Sequence, residues 1–440
     1  MKKLILSILL LFTVALSGCT LSLEPAEETT IGEIVVIPPQ SVLGHTEPDE
    51  TEVSQLQSAW EESQSEVLPA APEDPEVIVI EIPSETTVTT TETTTAATTT
   101  VATTTQKKIH VSRKSAEEIL SEMTLSEKVG QVILARYPSD AAEQMAQYKF
   151  GGYTLYAQDF NGETPTTITG ELFGISLENK VMPFFAVDEE GGNITRISRY
   201  LAFAEKRLPT IQSALKNDMS VNEWVTEMVT ILNSAGVNLN FAPVADVAES
   251  KEDYIYGRTV SLDYKKTGKI IAEIVTEMNN QGLMGCLKHF PGYGSNVDTH
   301  KGIAVDSRSR KDFESKDFIP FKRGIEAGAP MIMVNHNIVE AFNDDVPASL
   351  APEVHDLLRD MGFEGIIITD DLGMDAITLY SDEPYVEAFL AGNDMLCTSD
   401  GEATYKALYA AVLDKKISED RLDESVLRIL KAKIEYGIIQ

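Results

Sequence analysis

Three features of the sequence predict an α/β fold, a (β/α)8 TIM-type barrel. Eight short apolar segments recur between residues 111 and 440, amphipathic helical stretches separate most of them, and polar residues follow nearly every one. The segments are apolar throughout rather than alternating, which marks strands buried on both faces. Strand and helix alternating eight times fit a barrel with helices outside. An open doubly wound sheet is the competing arrangement, but it does not call for eight strands with polar ends.

Helical spacing begins at Ser115, and Thr124-Leu-Ser-Glu127 reads as a capping box opening the next helix. The expected strands are residues 132–135, 153–156, 184–187, 239–243, 284–287, 331–334, 365–368 and 394–397. Residues 272–278 and 352–361 are examples of the intervening helical pattern. The polar groups at the strand ends are Asp188 and Glu190, Asp246, Lys288 and His289, Asn335 and His336, and Asp370 and Asp371. Catalytic groups of a barrel converge at this C-terminal face of the strands. Asp371 is expected in part to cap the helix that follows.

The chain has 440 residues and a net charge of −33, which argues against nucleic acid as a partner, since little here would neutralise phosphates. Between Thr20 and Gln106 stand 17 acidic residues and no Lys or Arg, so about half of that charge lies outside the expected barrel. Residues 1–18 read as an export signal: Lys2-Lys3, an apolar run, then Leu16-Ser17-Gly18-Cys19. That ending resembles a bacterial lipobox, which implies cleavage before Cys19 and lipid on its thiol, anchoring the protein to the outer side of a cell membrane. Residues 19–110 are rich in Glu, Pro and Thr and are expected to be a disordered tether. As a flexible coil its ends would lie about 50–60 Å apart. The catalytic barrel is assigned to residues 111–440. Cys286 and Cys397 sit in apolar runs and are expected as buried free thiols, although a disulfide is chemically allowed outside the cytoplasm.

The chemistry is reached partly by elimination. No HExxH or Cys/His cluster, P-loop, GxGxxG frame or GxSxG elbow is present. No metal and no cofactor is assigned. What remains is carboxylate and imidazole chemistry. A retaining glycosidase needs a nucleophile and a proton donor. Asp370, directly after an apolar strand, suits the first role. His300 suits the second, because imidazole titrates near neutrality. Asp298, two residues away in an extended segment, faces the same way and can orient it. Lys288, Arg196 and Arg258 would bind sugar hydroxyls beside Asp188, while Lys288 equally suits a structural ion pair.

These residues resemble glycoside hydrolase family 3, in its β-N-acetylhexosaminidase branch. The resemblance runs from Met123-Thr-Leu-Ser-Glu-Lys-Val-Gly-Gln131 to the C-terminus. It includes Ala186-Val-Asp-Glu-Glu-Gly-Gly192, Lys288-His-Phe-Pro-Gly292, Ile368-Thr-Asp-Asp-Leu372 and Gly392-Asn-Asp-Met-Leu396. It implies a (β/α)8 barrel, Asp370 as nucleophile, His300 as acid/base with Asp298 as its partner, and substrate contacts from Asp188, Arg196, Arg258, Lys288 and His289. This chain departs from the usual family pattern at Tyr293, Ser295 and Asn193, and the interval from Lys288 to His300 is a residue short.

The expected activity is therefore exo-acting, retaining hydrolysis of terminal β-GlcNAc from muropeptides or chitooligosaccharides, through a covalent glycosyl-aspartate, by a monomer. A β-glucosidase or xylosidase, a phosphorylase of the same family, and a non-catalytic sugar-binding lipoprotein are the competing readings.

Overall fold

The computed structural model describes residues 78–80, 109–111 and 114–439, apart from 297–301 and 344. The signal segment, Cys19, most of the tether and the Asp298–His300 pair lie outside the described residues. Ile78–Ile80 pairs antiparallel with Ile109–Val111, a short ladder between the expected tether and its boundary with the barrel where no strand was expected; five of its six residues are β-branched.

Eight strands form one parallel sheet in sequential order. They are β1 (Ile133–Arg136), β2 (Gly152–Thr154), β3 (Phe184–Val187), β4 (Leu239–Asn240), β5 (Met284–Phe290), β6 (Met331–Val334), β7 (Ile366–Thr369) and β8 (Leu396–Thr398). The sheet curls back on itself. β8 pairs with β1 from Leu396↔Ile133 to Thr398↔Ala135, and an Ile368↔Met395 bridge joins β7 to the start of β8. This is the (β/α)8 barrel. Its strands are short, and β3, β6 and β7 are buried at every position, in keeping with side chains filling the barrel inside and helices covering it outside.

The helices follow from local sequence. Thr124 caps Leu125–Gln131, with Glu127 closing the capping box, as its spacing predicted. Ser220 and Glu223 do the same for Val221–Ser234. That helix turns Trp224, Val225, Met228 and Leu232 inward, a buried stripe at helical spacing. Pro352 opens Pro352–Asp360, where its missing N–H costs nothing.

The C-terminal helix Glu419–Glu435 fastens the closure. Asp394, just before β8 and fully buried, accepts from Arg359 (2.7 Å), Arg428 (2.9 Å), Ser425 (2.9 Å) and the backbone N–H of Ile367 (3.0 Å). One carboxylate thus joins β7, the segment leading into β8 and two helices. Further along the same helix, buried Lys433 donates to Gln131 and to the Gly151 carbonyl (2.9 Å). Burial alone drives its amine well below its ordinary pKa. Cys286 and Cys397 are both buried and free, and burial pushes both thiols up.

Candidate active site

The polar strand ends gather on one side of the barrel. The largest departure from the expected strands is β5, which continues through Lys288-His289-Phe290 instead of stopping at Leu287. Neighbouring chain explains the extension. Ala245 donates its N–H to the Lys288 carbonyl (2.7 Å), and Asn335 donates to that of Phe290 (2.9 Å). Polar side chains here are compatible with a buried strand because each finds a charged partner. The Lys288–His289 and Phe290–Pro291 peptides are both cis.

Lys288 is almost fully buried. Its ammonium lies 2.6 Å from Asp188 Oδ1 and 2.7 Å from Glu190 Oε1. The other oxygen of Asp188 accepts from Arg196 (2.9 Å). Glu190 receives a forked pair of bonds from Arg258, at 2.8 Å from Nε and 2.7 Å from Nη2. Arg258 Nη2 also donates towards His289 Nε2 (3.2 Å). His289 Nδ1 lies 2.6 Å from Asp246 Oδ2, and Asp246 further accepts the backbone N–H groups of His289 (3.0 Å) and Tyr293 (2.8 Å). Three carboxylates and three cations therefore interlock across the ends of β3, β4 and β5.

The electrostatics follow from this pairing. Burial alone would raise the carboxyl of Asp188, but Lys288 and Arg196 hold it well below the usual carboxylate range. Burial opposes ionisation of Glu190 too, and Arg258 and Lys288 bring its pKa down to about 2. Lys288 is disfavoured as a cation by burial, yet Asp188 and Glu190 raise its pKa above the ordinary value. Hydrogen-bonded pairing on this scale is what permits charges at this depth.

Asp370 follows β7. Its backbone N–H donates to the Val334 carbonyl (2.9 Å), and its Oδ1 accepts the N–H of Asp371 (2.9 Å). The residue is part-buried and follows directly on the C-terminal end of β7. Burial pushes its pKa up, but the His289 and His336 imidazoles, the Asp371 N–H and Lys288 outweigh burial and leave it below the ordinary value. His336 is held in place with Nδ1 2.7 Å from Ser349 Oγ and Nε2 donating to the Asp371 carbonyl (3.0 Å). Asp371 does not cap the following helix. Its carboxylate instead accepts from Gly373 N–H (2.9 Å) and Ser399 Oγ (2.5 Å), because the chain makes a turn before Asp375–Thr378 begins.

Of the eight predicted site residues, the structure brings together Asp188, Arg196, Arg258, Lys288, His289 and Asp370. Sequence reasoning marked Glu190, Asp246 and His336 as strand-end polar groups without giving them work. It gave Glu189 no place at all. Glu189 is fully buried and accepts the backbone N–H groups of Arg196 (2.7 Å), Ile197 (2.9 Å) and Ser198 (3.3 Å), folding the loop that carries Arg196. The signal was available, since acidic residues directly after an apolar strand must be paired. Tyr156, after β2, was also missed. Its ring lies under the guanidiniums of Arg136 (4.6 Å) and Arg196 (5.5 Å), and burial pushes its hydroxyl pKa up.

A parallel (β/α)8 barrel with an acidic residue at a strand end, beside paired cations and imidazoles, suits a glycoside hydrolase, one of the many enzyme classes built on this fold. The chain belongs to glycosyl hydrolase family 3, matching the family's N terminal domain over residues 124–432. It is 28% identical over 329 residues to a beta-hexosaminidase A of Pseudoalteromonas piscicida, covering 67% of this chain and 55% of that protein. It thus spans about half the length of that relative. A beta-hexosaminidase of Stenotrophomonas maltophilia (strain K279a) is 33% identical over 239 residues, 51% of this chain and 69% of the relative. A family 3 beta-N-acetylglucosaminidase structure from Paenibacillus sp. str. FPU-7 superposes with a TM-score of 0.66 at 25% identity, covering 72% of this chain and 63% of that one.

Proposed function

We propose that this protein is an exo-acting, retaining β-N-acetylglucosaminidase that removes terminal β-GlcNAc from muropeptides or chitooligosaccharides. Asp370 is the nucleophile. The observation that carries the reading is its place directly after β7, with a carboxyl held below its ordinary pKa by His289, His336, the Asp371 N–H and Lys288 against the effect of burial. A nucleophile must be anionic before it attacks the anomeric carbon. The amino-sugar assignment rests on the names of the two relatives and of the Paenibacillus structure.

In the first step, His300, oriented by Asp298, protonates the glycosidic oxygen as Asp370 forms a covalent bond to the anomeric carbon. In the second, His300 deprotonates water, which displaces Asp370 from the sugar. Asp188, Arg196, Arg258, Lys288 and His289 form the wall of the sugar site. Because Lys288 and both Asp188 oxygens are occupied by ion pairs, the wall presents a prearranged charge pattern to hydroxyl groups. Such a pattern need not reorganise during the reaction. We further propose that the protein stands outside the cytoplasm, held by a lipid on Cys19, with residues 19–110 as the tether.

The test is hydrolysis of 4-nitrophenyl glycosides of β-GlcNAc, β-glucose and β-xylose, with and without phosphate, by the wild type and Asp370→Ala. The proposal expects β-GlcNAc to be preferred, GlcNAc to be released as free sugar, and Asp370→Ala to be inactive. A sugar 1-phosphate product would replace hydrolysis with phosphorolysis. Preference for glucose or xylose would overturn the substrate, and no turnover of any glycoside would favour a sugar-binding protein.

A further inference from the structure

Arg196 stands in the proposed sugar wall, yet little holds the far end of its side chain. Glu189 fixes its backbone, together with that of Ile197 and Ser198. Beyond that, among the described residues the guanidinium makes one hydrogen bond, from Nη2 to Asp188 Oδ2 (2.9 Å). Its Nε is buried and has no hydrogen-bond partner among those residues. Arg258, by contrast, grips Glu190 with two prongs. A fork fixes the plane of a guanidinium, whereas a single bond lets the plane turn about it. Something other than hydrogen bonding must set the plane of Arg196.

The Tyr156 ring is placed to do so. The Arg196 guanidinium carbon lies over it, 5.5 Å from the centroid, and a guanidinium over an aromatic face is attracted to it and can stack on it. The ring is itself held at the ends of β1 and β2. Tyr156 donates its backbone N–H to Asp159 Oδ2 (2.7 Å). Asp159 takes both prongs of Arg136, at 2.7 and 2.8 Å, and the Arg136 guanidinium carbon lies over the same ring at 4.6 Å. Arg136 Nη1 donates further to the Tyr137 carbonyl (2.7 Å). The loops bearing Tyr156 and Arg196 are also tied directly. Tyr200 Oη donates to the Ala157 carbonyl (2.6 Å), and the Phe203 ring meets Phe160 edge-on, with centroids 6.0 Å apart.

Burial, followed by Cys397, Asp371, Asp188 and Asp370, pushes the Tyr156 hydroxyl pKa up, so the phenol keeps its proton beside the acidic groups of the site. Arg136 is occupied by Asp159 and by backbone carbonyls, while Arg196 reaches Asp188. We propose that Tyr156 is a positioning residue for sugar binding: its ring, braced by the Arg136–Asp159 pair, sets the plane of the Arg196 guanidinium against Asp188 and the sugar hydroxyls. This inference rests on the reading of Asp188 and Arg196 as part of a sugar site, and it is independent of which group moves the proton. Binding groups contribute most when they are already oriented before the sugar arrives.

The experiment measures affinity for GlcNAc, glucose and xylose by titration calorimetry, and KM and kcat on the 4-nitrophenyl β-glycoside of the sugar bound best. Tyr156→Leu is expected to weaken sugar binding and raise KM by about 10-fold, while kcat falls by less than about threefold. Tyr156→Phe keeps the ring and is expected to hold affinity within about threefold of wild type. Tyr156→Met fills similar space without a ring, is expected to behave as Tyr156→Leu does, and serves if that variant does not fold. In an Arg196→Ala background, Tyr156→Leu is expected to weaken binding by less than about twofold more. Unchanged affinity in Tyr156→Leu, an equal loss in Tyr156→Phe, or a full additional loss without the Arg196 side chain would overturn the proposal. Wild-type protein that binds none of the three sugars would overturn the sugar-site reading, and this inference with it.

Discussion

Replacing Glu190 by Gln perturbs the charge network at one point while conserving shape. Glu190 lies between Lys288 (2.7 Å) and Arg258 (2.7 Å), and its side chain is only 4% exposed. Its pKa falls from an ordinary 4.5 to about 2. The difference is about 2.5 units, which corresponds to about 3 kcal/mol of stability that the ionised form contributes. The folded pKa is the lower one, so this contribution is complete above pH 4.5 and is lost as pH falls through 2. Glu190→Gln should therefore destabilise the barrel by about 3 kcal/mol at pH 7, and the gap to wild type should narrow as pH falls below 4.5. Urea denaturation followed by the fluorescence of buried Trp224 reads both quantities. A difference below about 0.5 kcal/mol at pH 7, or one equally large at pH 2.5, would refute the claim that Glu190 is held ionised by these cations.

Other outcomes follow from the same geometry. Asp394→Asn should cost about 3–5 kcal/mol, because Arg359 and Arg428 would lose their shared buried carboxylate; thermal or urea unfolding measures it. Gly191→Ala should lower both stability and activity. Its φ is +91°, a Cβ there would meet the Pro209 carbonyl at 2.2 Å, and the loop it shapes carries Arg196; a variant with unchanged unfolding midpoint and turnover would contradict this. The acid limb of kcat/KM should lie below the ordinary Asp value of 3.8, since the proposed nucleophile, Asp370, would have to be ionised to attack and its pKa is lowered. An acid limb at pH 5 or above would place the nucleophile elsewhere.

Much of the fold was legible in the sequence because barrel strands are apolar throughout and end in polar residues. All eight expected segments contribute to the sheet, and the capping box at Thr124 and Glu127 forms as its spacing requires. The exceptions have physical causes. β5 runs three residues beyond Leu287, because Lys288 and His289 gain partners from other strands that linear sequence does not display. Asp371 braces a turn rather than a helix, which depends on where Ser399 arrives after β8. At the site, residue identities were readable and pairings were not. Asp188 and Lys288 are one hundred positions apart, and only the side-by-side pairing of β3, β4 and β5 brings them within 2.6 Å. That Glu189 needs partners was readable from its place after an apolar strand, but which partners was not, because they are backbone N–H groups.

The central claim is that Asp370 attacks the anomeric carbon. The most direct measurement is mass spectrometry of a proteolytic digest after incubation with a 5-fluoro β-GlcNAc glycoside, which slows release of the glycosylated enzyme. One added sugar is expected, on the peptide containing Asp370, and none on the Asp370→Ala protein. A sugar attached at another carboxylate, or active enzyme that never acquires one, would contradict it.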